Sequence, residues 1–248
     1  MTTTFFVPPD NIRDSYVRLP PDEARHAIRV LRHRPGDVVE VVDGAGGWYL
    51  VRLDAAQGET AAGVVLEARR GVGEPPYDLT LAVGLLKNPN RLETLVEKAV
   101  ELGVTRLVPI ETARTERVRI RQDRLERIAV AAMKQSGRSK LPEIENVRTF
   151  ADLMRTESGG AYLICHEQVP AERSIARVLE RGLARRITIL VGPEGGFTNE
   201  EIAQAESAGY EPVSLGTRRL RAETAGIVAA AAVQLHAGKA PYASADAP

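Results

Sequence analysis

Near the carboxyl end of the chain, the stretch ITILVGPEGGFTNEEIAQAESAGYEPVSLGTRRLRAETAGIVAAAAVQLH places two glycine-bearing loops, each between an apolar run and a helical sequence. That arrangement admits few folds, because strand, tight turn and helix in repetition are the building unit of an α/β sheet. The first loop, Gly192-Pro193-Glu194-Gly195-Gly196, follows the β-branched run Ile187 to Val191. It precedes Thr198, which has Glu201 at the capping-box spacing for a helix start. Glycines in such a turn permit positive φ and close approach of a ligand, while the opening helix offers free N–H groups. The second loop, Leu215 to Thr224, follows a strand over Pro212 to Leu215 and feeds an alanine-rich helix running to about His236. It carries Arg218, Arg219 and Arg221 beside Glu223, a set that needs a polar or anionic partner. Two such loops side by side make a nucleotide-sized pocket.

The same alternation runs upstream. Strands are expected over Leu79 to Gly84, Arg106 to Ile110 and Ala161 to Cys165, with helices over Pro89 to Leu102 and Asp123 to Gln135. In the first helix Leu92, Leu95, Val96, Ala99 and Val100 recur at three and four, with Pro89 in the first turn and Gly103 just past the end. The pattern predicts an α/β unit with a mainly parallel sheet, whose ligands sit beyond the carboxyl ends of the strands.

Before it the periodicity changes. Short strands are expected over Phe5 to Val7, Asp37 to Val42, Trp48 to Leu53 and Ala61 to Leu66, with one helix near Asp22 to Leu31. Asp43-Gly44-Ala45-Gly46-Gly47 reads as a hairpin loop, not a phosphate loop, since a strand follows it. These elements suggest a small barrel. Arg70 to Pro76 is rich in Gly and Pro and breaks both periodicities, so the expected division is residues 1–70, a linker at 71–77, a second domain at 78–240 and a flexible tail at 241–248.

Composition narrows the function classes. Lys plus Arg equals Asp plus Glu, 33 against 33, so any attraction to nucleic acid must come from local clusters. The single cysteine, Cys165, excludes an internal disulfide and a thiolate metal cage, and His26, His33, His166 and His236 lack ligand spacing, so no metal site is expected. The first residues do not read as a charged-then-apolar leader, and no apolar run has the length of a membrane span. A cytoplasmic protein without membrane contact is the expectation.

VGPEGGFTNEEI together with SLGTRRLRAETA resembles the closing signature of the RsmE family. HAIRVLRHRPGD (His26 to Asp37), LVEKAVELGV (Leu95 to Val104) and KQSGRSKLPEI (Lys134 to Ile144) resemble, in the same order, the family's N-terminal helix and turn, first long helix and central segment. The resemblance implies a SPOUT-class methyltransferase that uses S-adenosylmethionine to methylate N3 of a uridine in small-subunit (16S) ribosomal RNA. It also implies a parallel sheet with a C-terminal trefoil knot, a preceding PUA-like RNA-binding β-barrel, and a homodimer that forms the active site. Composition and periodicity alone lead only to an ordinary doubly wound sheet.

By the same resemblance, the cofactor would lie against Gly192, Pro193, Glu194, Gly195, Gly196, Leu215, Gly216 and Leu220, with Arg221, Thr224 and Ala225 closing the floor. Uridine N3 carries a proton and is a poor nucleophile until that proton leaves, so the site needs a base or a positive charge. Arg221 and Glu223 are the catalytic candidates, Arg221 to stabilise a uridine anion and Glu223 to accept a proton or to hold an arginine. RNA contacts are expected from Arg25, His26, Arg29, Arg32 and Arg34, from Arg114, Arg117 and Arg119, and from Lys134, Gln135 and Arg138. Two other functions compete: methylation of a ribose 2′-hydroxyl by a SPOUT relative, and a catalytically silent RNA-binding factor in ribosome assembly. The PEGG loop with the Arg221 to Thr224 run argues against both.

Overall fold

A computed structural model describes residues 3–116, 120–156 and 159–238; the candidate RNA contacts Arg117 and Arg119, and the tail at 241–248, lie outside the described residues. The chain forms two compact units, one of the residues up to Glu74 together with Ala129–Leu141, the other of Pro75–Ile128 together with the chain from Pro142 onward.

The N-terminal unit has six strands, β1 (Thr4–Phe6), β2 (Ile12–Arg13), β3 (Tyr16–Arg18), β4 (Val38–Val42), β5 (Gly47–Gln57) and β6 (Thr60–Arg70). They form one curled sheet in the order β1-β4-β5-β6-β3-β2, antiparallel except for the β1–β4 pair. Alternation drives it: Val39 and Val41 of β4 and Val51 and Leu53 of β5 point into a core with Phe5, Val7, Val17 and Leu19. The helix α1 (Pro21–Arg25), continued by a π-helical turn at His26–Val30, closes this core with Ala24 and Ala27. The expected hairpin at Asp43 joins β4 to β5, and the Asp43 carboxylate accepts from the N–H groups of Ala45 and Gly47, both at 2.7 Å.

The segment Ala129–Leu141 joins this unit through a carboxylate. Glu74 accepts from the Ser139 N–H (3.0 Å), the Lys140 N–H (2.9 Å) and Nη2 of Arg138 (2.8 Å). Lys134 pairs with Glu23 at 2.5 Å.

The second unit contains β7 (Asp78–Gly84), α2 (Pro89–Glu101), β8 (Arg106–Glu111), the first part of α3 (Gln122–Ser136), β9 (Glu143–Ile144), β10 (Arg148–Thr149), α4 (Phe150–Thr156), β11 (Ala161–Cys165), α5 (Ile175–Leu179), β12 (Arg186–Val191), α6 (Asn199–Ser207), β13 (Glu211–Val213) and α7 (Ala222–Ala237). Its seven strands are all parallel, in the order β10-β8-β7-β12-β11-β13 with β9 beside β8. Helix α2 starts where expected, with Asn88 accepting from the Asn90 N–H (2.9 Å) and Pro89 at the first position. Its buried face is the predicted one, Leu92, Leu95, Val96, Ala99 and Val100. Each of the four larger side chains contributes about 1.5–3 kcal/mol by leaving water. Helix α7 packs against α2, β7 and β12, which accounts for a sequence apolar nearly all round.

Candidate active site

Strands β12, β11 and β13 are neighbours and parallel, so their carboxyl ends open on one side, where open α/β sheets bind ligands. The first glycine loop leaves β12 there. Its turn is closed by the Gly196 N–H on the Pro193 carbonyl (2.8 Å), and Gly196 has φ +68°, a conformation that costs an L side chain energy. The Gly192–Pro193 peptide rests on the end of β7: a Cβ on Gly84 would lie 2.4 Å from the Pro193 nitrogen.

Beyond the loop the expected capping box is formed. Thr198 Oγ1 accepts from the Glu201 N–H (3.2 Å) and Glu201 Oε2 from the Thr198 N–H (2.9 Å). The other oxygen of this buried carboxylate accepts from the Ala113 N–H (2.8 Å), which fixes the segment after β8. Arg114 follows, and its Nη1 donates to the Gly195 carbonyl at 2.6 Å. One glutamate thus organises both the helix start and the arginine that holds the loop.

The second loop leaves β13, turned by the Gly216 N–H on Ser214 Oγ (3.2 Å). Arg221 is extended and precedes α7, whose first turn has no side-chain cap. Between the two loops lies a cavity of about 440 Å³. Gly192, Pro193, Glu194, Gly195 and Gly196 form one wall; Leu215, Gly216, Leu220, Arg221 and Ala225 form another. Of the expected cofactor residues Thr224 alone is not on the wall, and neither is the catalytic candidate Glu223.

Glu223 is buried and turned toward α2, with Oε1 3.7 Å from Nε of Arg91. Of the two roles considered for it, this geometry supports holding an arginine. Nη1 of the same Arg91 donates to Glu194 Oε1 at 3.4 Å, and the Lys87 N–H donates to that oxygen at 3.2 Å.

Sequence reasoning missed a third wall, Cys165, His166, Glu167 and Gln168 at the end of β11, and also Asn199; Arg218 and Arg219, singled out in the second loop, line the cavity as well. The strand before Cys165 was legible; its place between β12 and β13 was not. Burial pushes the Cys165 thiol up to about 12, so this half-buried wall group favours its protonated form at neutral pH. Among the described residues no cluster of three or more His, Cys, Asp or Glu side chains has metal-binding geometry.

The candidate RNA contacts separate into two kinds. Arg29, Arg32 and Arg34 are exposed, as is His26, which meets Phe5 edge-on, and Arg25, which pairs with Asp22 and Glu59. Gln135 is exposed. Lys134 is tied to Glu23 and Arg138 is 2% exposed on Glu74, so these two hold the Ala129–Leu141 segment in place and present little charge outward.

A parallel sheet with such a cavity at its strand ends, in one chain with a second curled sheet, is an RNA methyltransferase architecture: residues 73–234 match the RNA methyltransferase domain and residues 19–66 the RNA methyltransferase PUA domain. The chain is 33% identical to ribosomal RNA small subunit methyltransferase E of Synechocystis sp. over 94% of its own length and 77% of the relative's. It is 32% identical to the protein of that name from Rickettsia conorii, over 90% and 91%. The crystal structure of ribosomal RNA small subunit methyltransferase E from Neisseria gonorrhoeae, bound to S-adenosyl methionine, superposes with a TM-score of 0.84 at 30% identity, covering 95% of this chain and 98% of that one. The chain belongs to the ribosomal RNA small subunit methyltransferase E family.

Proposed function

We propose that the protein methylates N3 of a uridine in 16S ribosomal RNA with S-adenosylmethionine as donor. The observation that carries this reading is the cavity between the two glycine loops, in a chain of this family. Its volume of about 440 Å³ lies within the range of small-ligand sites, about 300–1,000 Å³. Its walls expose backbone at Gly192, Gly196 and Gly216, which suits an adenosyl group read by main-chain N–H and C=O groups. When bound, S-adenosylmethionine supplies an electrophilic methyl group and leaves as a thioether.

The chain's own residues do the rest. Gly192, Pro193, Glu194, Gly195, Gly196, Leu215, Gly216, Leu220 and Ala225 hold the donor, with Thr224 supporting the floor from the first turn of α7. Arg221 faces the uridine and stabilises the negative charge that develops on the ring as the N3 proton leaves. Positioning of donor and acceptor in attack geometry supplies several kcal/mol of the acceleration. Arg25, His26, Arg29, Arg32 and Arg34 bind RNA phosphates. The reading includes residues 1–70 as a PUA-like β-barrel, residues 78–240 as a SPOUT domain with a trefoil knot at its C-terminal helix, and a homodimer acting on the small subunit. No helix among the described residues is long and apolar enough to cross a membrane.

The test is incubation with methyl-labelled donor and small ribosomal subunits lacking the modification, followed by mass spectrometry of the nucleosides. N3-methyluridine is the expected product. A 2′-O-methylated nucleoside, or RNA binding without transfer, contradicts the proposal.

A further inference from the structure

Arg91 belongs to none of the residues expected from the sequence, yet its side chain meets both a carboxylate of the first loop and one at the start of α7. It sits in the first turn of α2, just after the Asn88 cap, with its side chain about one-third exposed. One guanidinium nitrogen meets Glu194 of the first loop (3.4 Å) and another faces Glu223 at the start of α7 (3.7 Å). Glu194 lines the cavity, and Glu223 lies between the wall residues Ala222 and Ala225 in the chain. Among the described residues Arg91 is the only ion-pair partner of Glu223, whose other oxygen, Oε2, is buried without a hydrogen-bond partner.

We propose that Arg91 is a positioning residue that sets the spacing of the two cavity walls, by acting as the common counter-charge of Glu194 and Glu223. The physical argument is one of opposed charges. Two partly buried carboxylates drawn to one guanidinium are held at a fixed separation; without it they repel each other, and one is left buried and unpaired. The first loop and the first turn of α7 then move apart, and the cavity loses the width its ligand requires. Arg and Lys differ here, because a planar fork reaches two acceptors at once and an ammonium group acts as a point charge. The proposal rests on the reading of the cavity as the S-adenosylmethionine site, and the test separates the two.

Wild-type protein, Arg91→Lys, Arg91→Ala and the double variant Arg91→Ala/Glu223→Gln are compared by calorimetry with S-adenosylmethionine and by hydrogen exchange of the ligand-free proteins. Arg91→Ala is expected to weaken donor binding at least tenfold, to raise its KM more than it lowers kcat, and to speed exchange at residues 194–197 and 222–226. Arg91→Lys falls between it and wild type. The double variant recovers most of the loss, because the unpaired carboxylate is gone. Wild-type exchange at both segments in Arg91→Ala, or a double variant no better than the single one, overturns the proposal. Exchange decides it even if the wild type fails to bind the donor, an outcome that would sink only the reading of the cavity.

Discussion

The arginines around the cavity and three at and just beyond the end of the N-terminal helix, Arg29, Arg32 and Arg34, belong to the same residue type and are used in opposite ways. Arg114 donates to the Gly195 carbonyl and Arg91 is shared by two carboxylates, so each has a fixed direction. Arg29, Arg32 and Arg34 are exposed and their guanidinium groups form no ion pair among the described residues, although the Arg34 N–H donates to Asp37 at 2.9 Å. Tied guanidiniums define a shape; untied ones define a field. The first kind suits a small ligand that must be placed to within a fraction of an ångström, and the second an extended polyanion that need only be attracted.

The contrast can be broken at several points. Arg221→Ala is expected to have the largest effect, a loss of about 10²–10³ in methyl-transfer rate, as for removal of one charge-stabilising donor. Donor affinity should change little; equal losses in rate and affinity would make Arg221 a cofactor residue. Gly84→Val comes next. It drives a side chain against the Gly192–Pro193 peptide, and overpacking of about 1–3 kcal/mol corresponds to a roughly fivefold to 150-fold loss of donor affinity by calorimetry. RNA binding through the N-terminal helix should be unaffected.

Replacing Arg29, Arg32 and Arg34 by Gln tests the other side. RNA affinity should fall and the slope of log affinity against log salt should shrink by about 2–3, since each phosphate contact contributes about 0.7–0.9. Donor binding should stay at the wild-type value. Glu201→Ala removes the capping box and the Ala113 tie, and denaturant unfolding should report a loss of about 1–2 kcal/mol.

The smallest effect concerns Cys165. Its thiol is raised from 9.0 to about 12, so the neutral form is favoured in the folded protein. The stability this contributes is complete below pH 9 and is lost as pH rises toward 12. Alkylation by iodoacetamide at pH 8.5 should therefore be much slower in the folded than in the unfolded chain. Equal rates would contradict the burial argument.

What was legible in the sequence follows from how local each signal is. The two loops announce themselves because glycines sit between a β-branched run and a helix start, and the capping box at Thr198 and Glu201 is written within four residues. The face of α2 was readable for the same reason. The hairpin β2–β3 was not read, because its turn uses Asp14 and Ser15 at φ +49° and +63° where a glycine is the usual marker. The β11 wall depends on strand order, which no local pattern encodes. Arg91 reaches Glu194 across 103 positions and Arg138 reaches Glu74 across 64, so one looked like an ordinary helix residue and the other like a free RNA contact.

The account stands most directly on a crystal of this protein soaked with S-adenosylmethionine. It predicts density for the donor between the Gly192–Gly196 turn and the Leu215–Arg221 loop, with Arg91 still joining Glu194 to Glu223. Donor bound elsewhere, or a saturated crystal in which side chains fill the space between those loops, would contradict it.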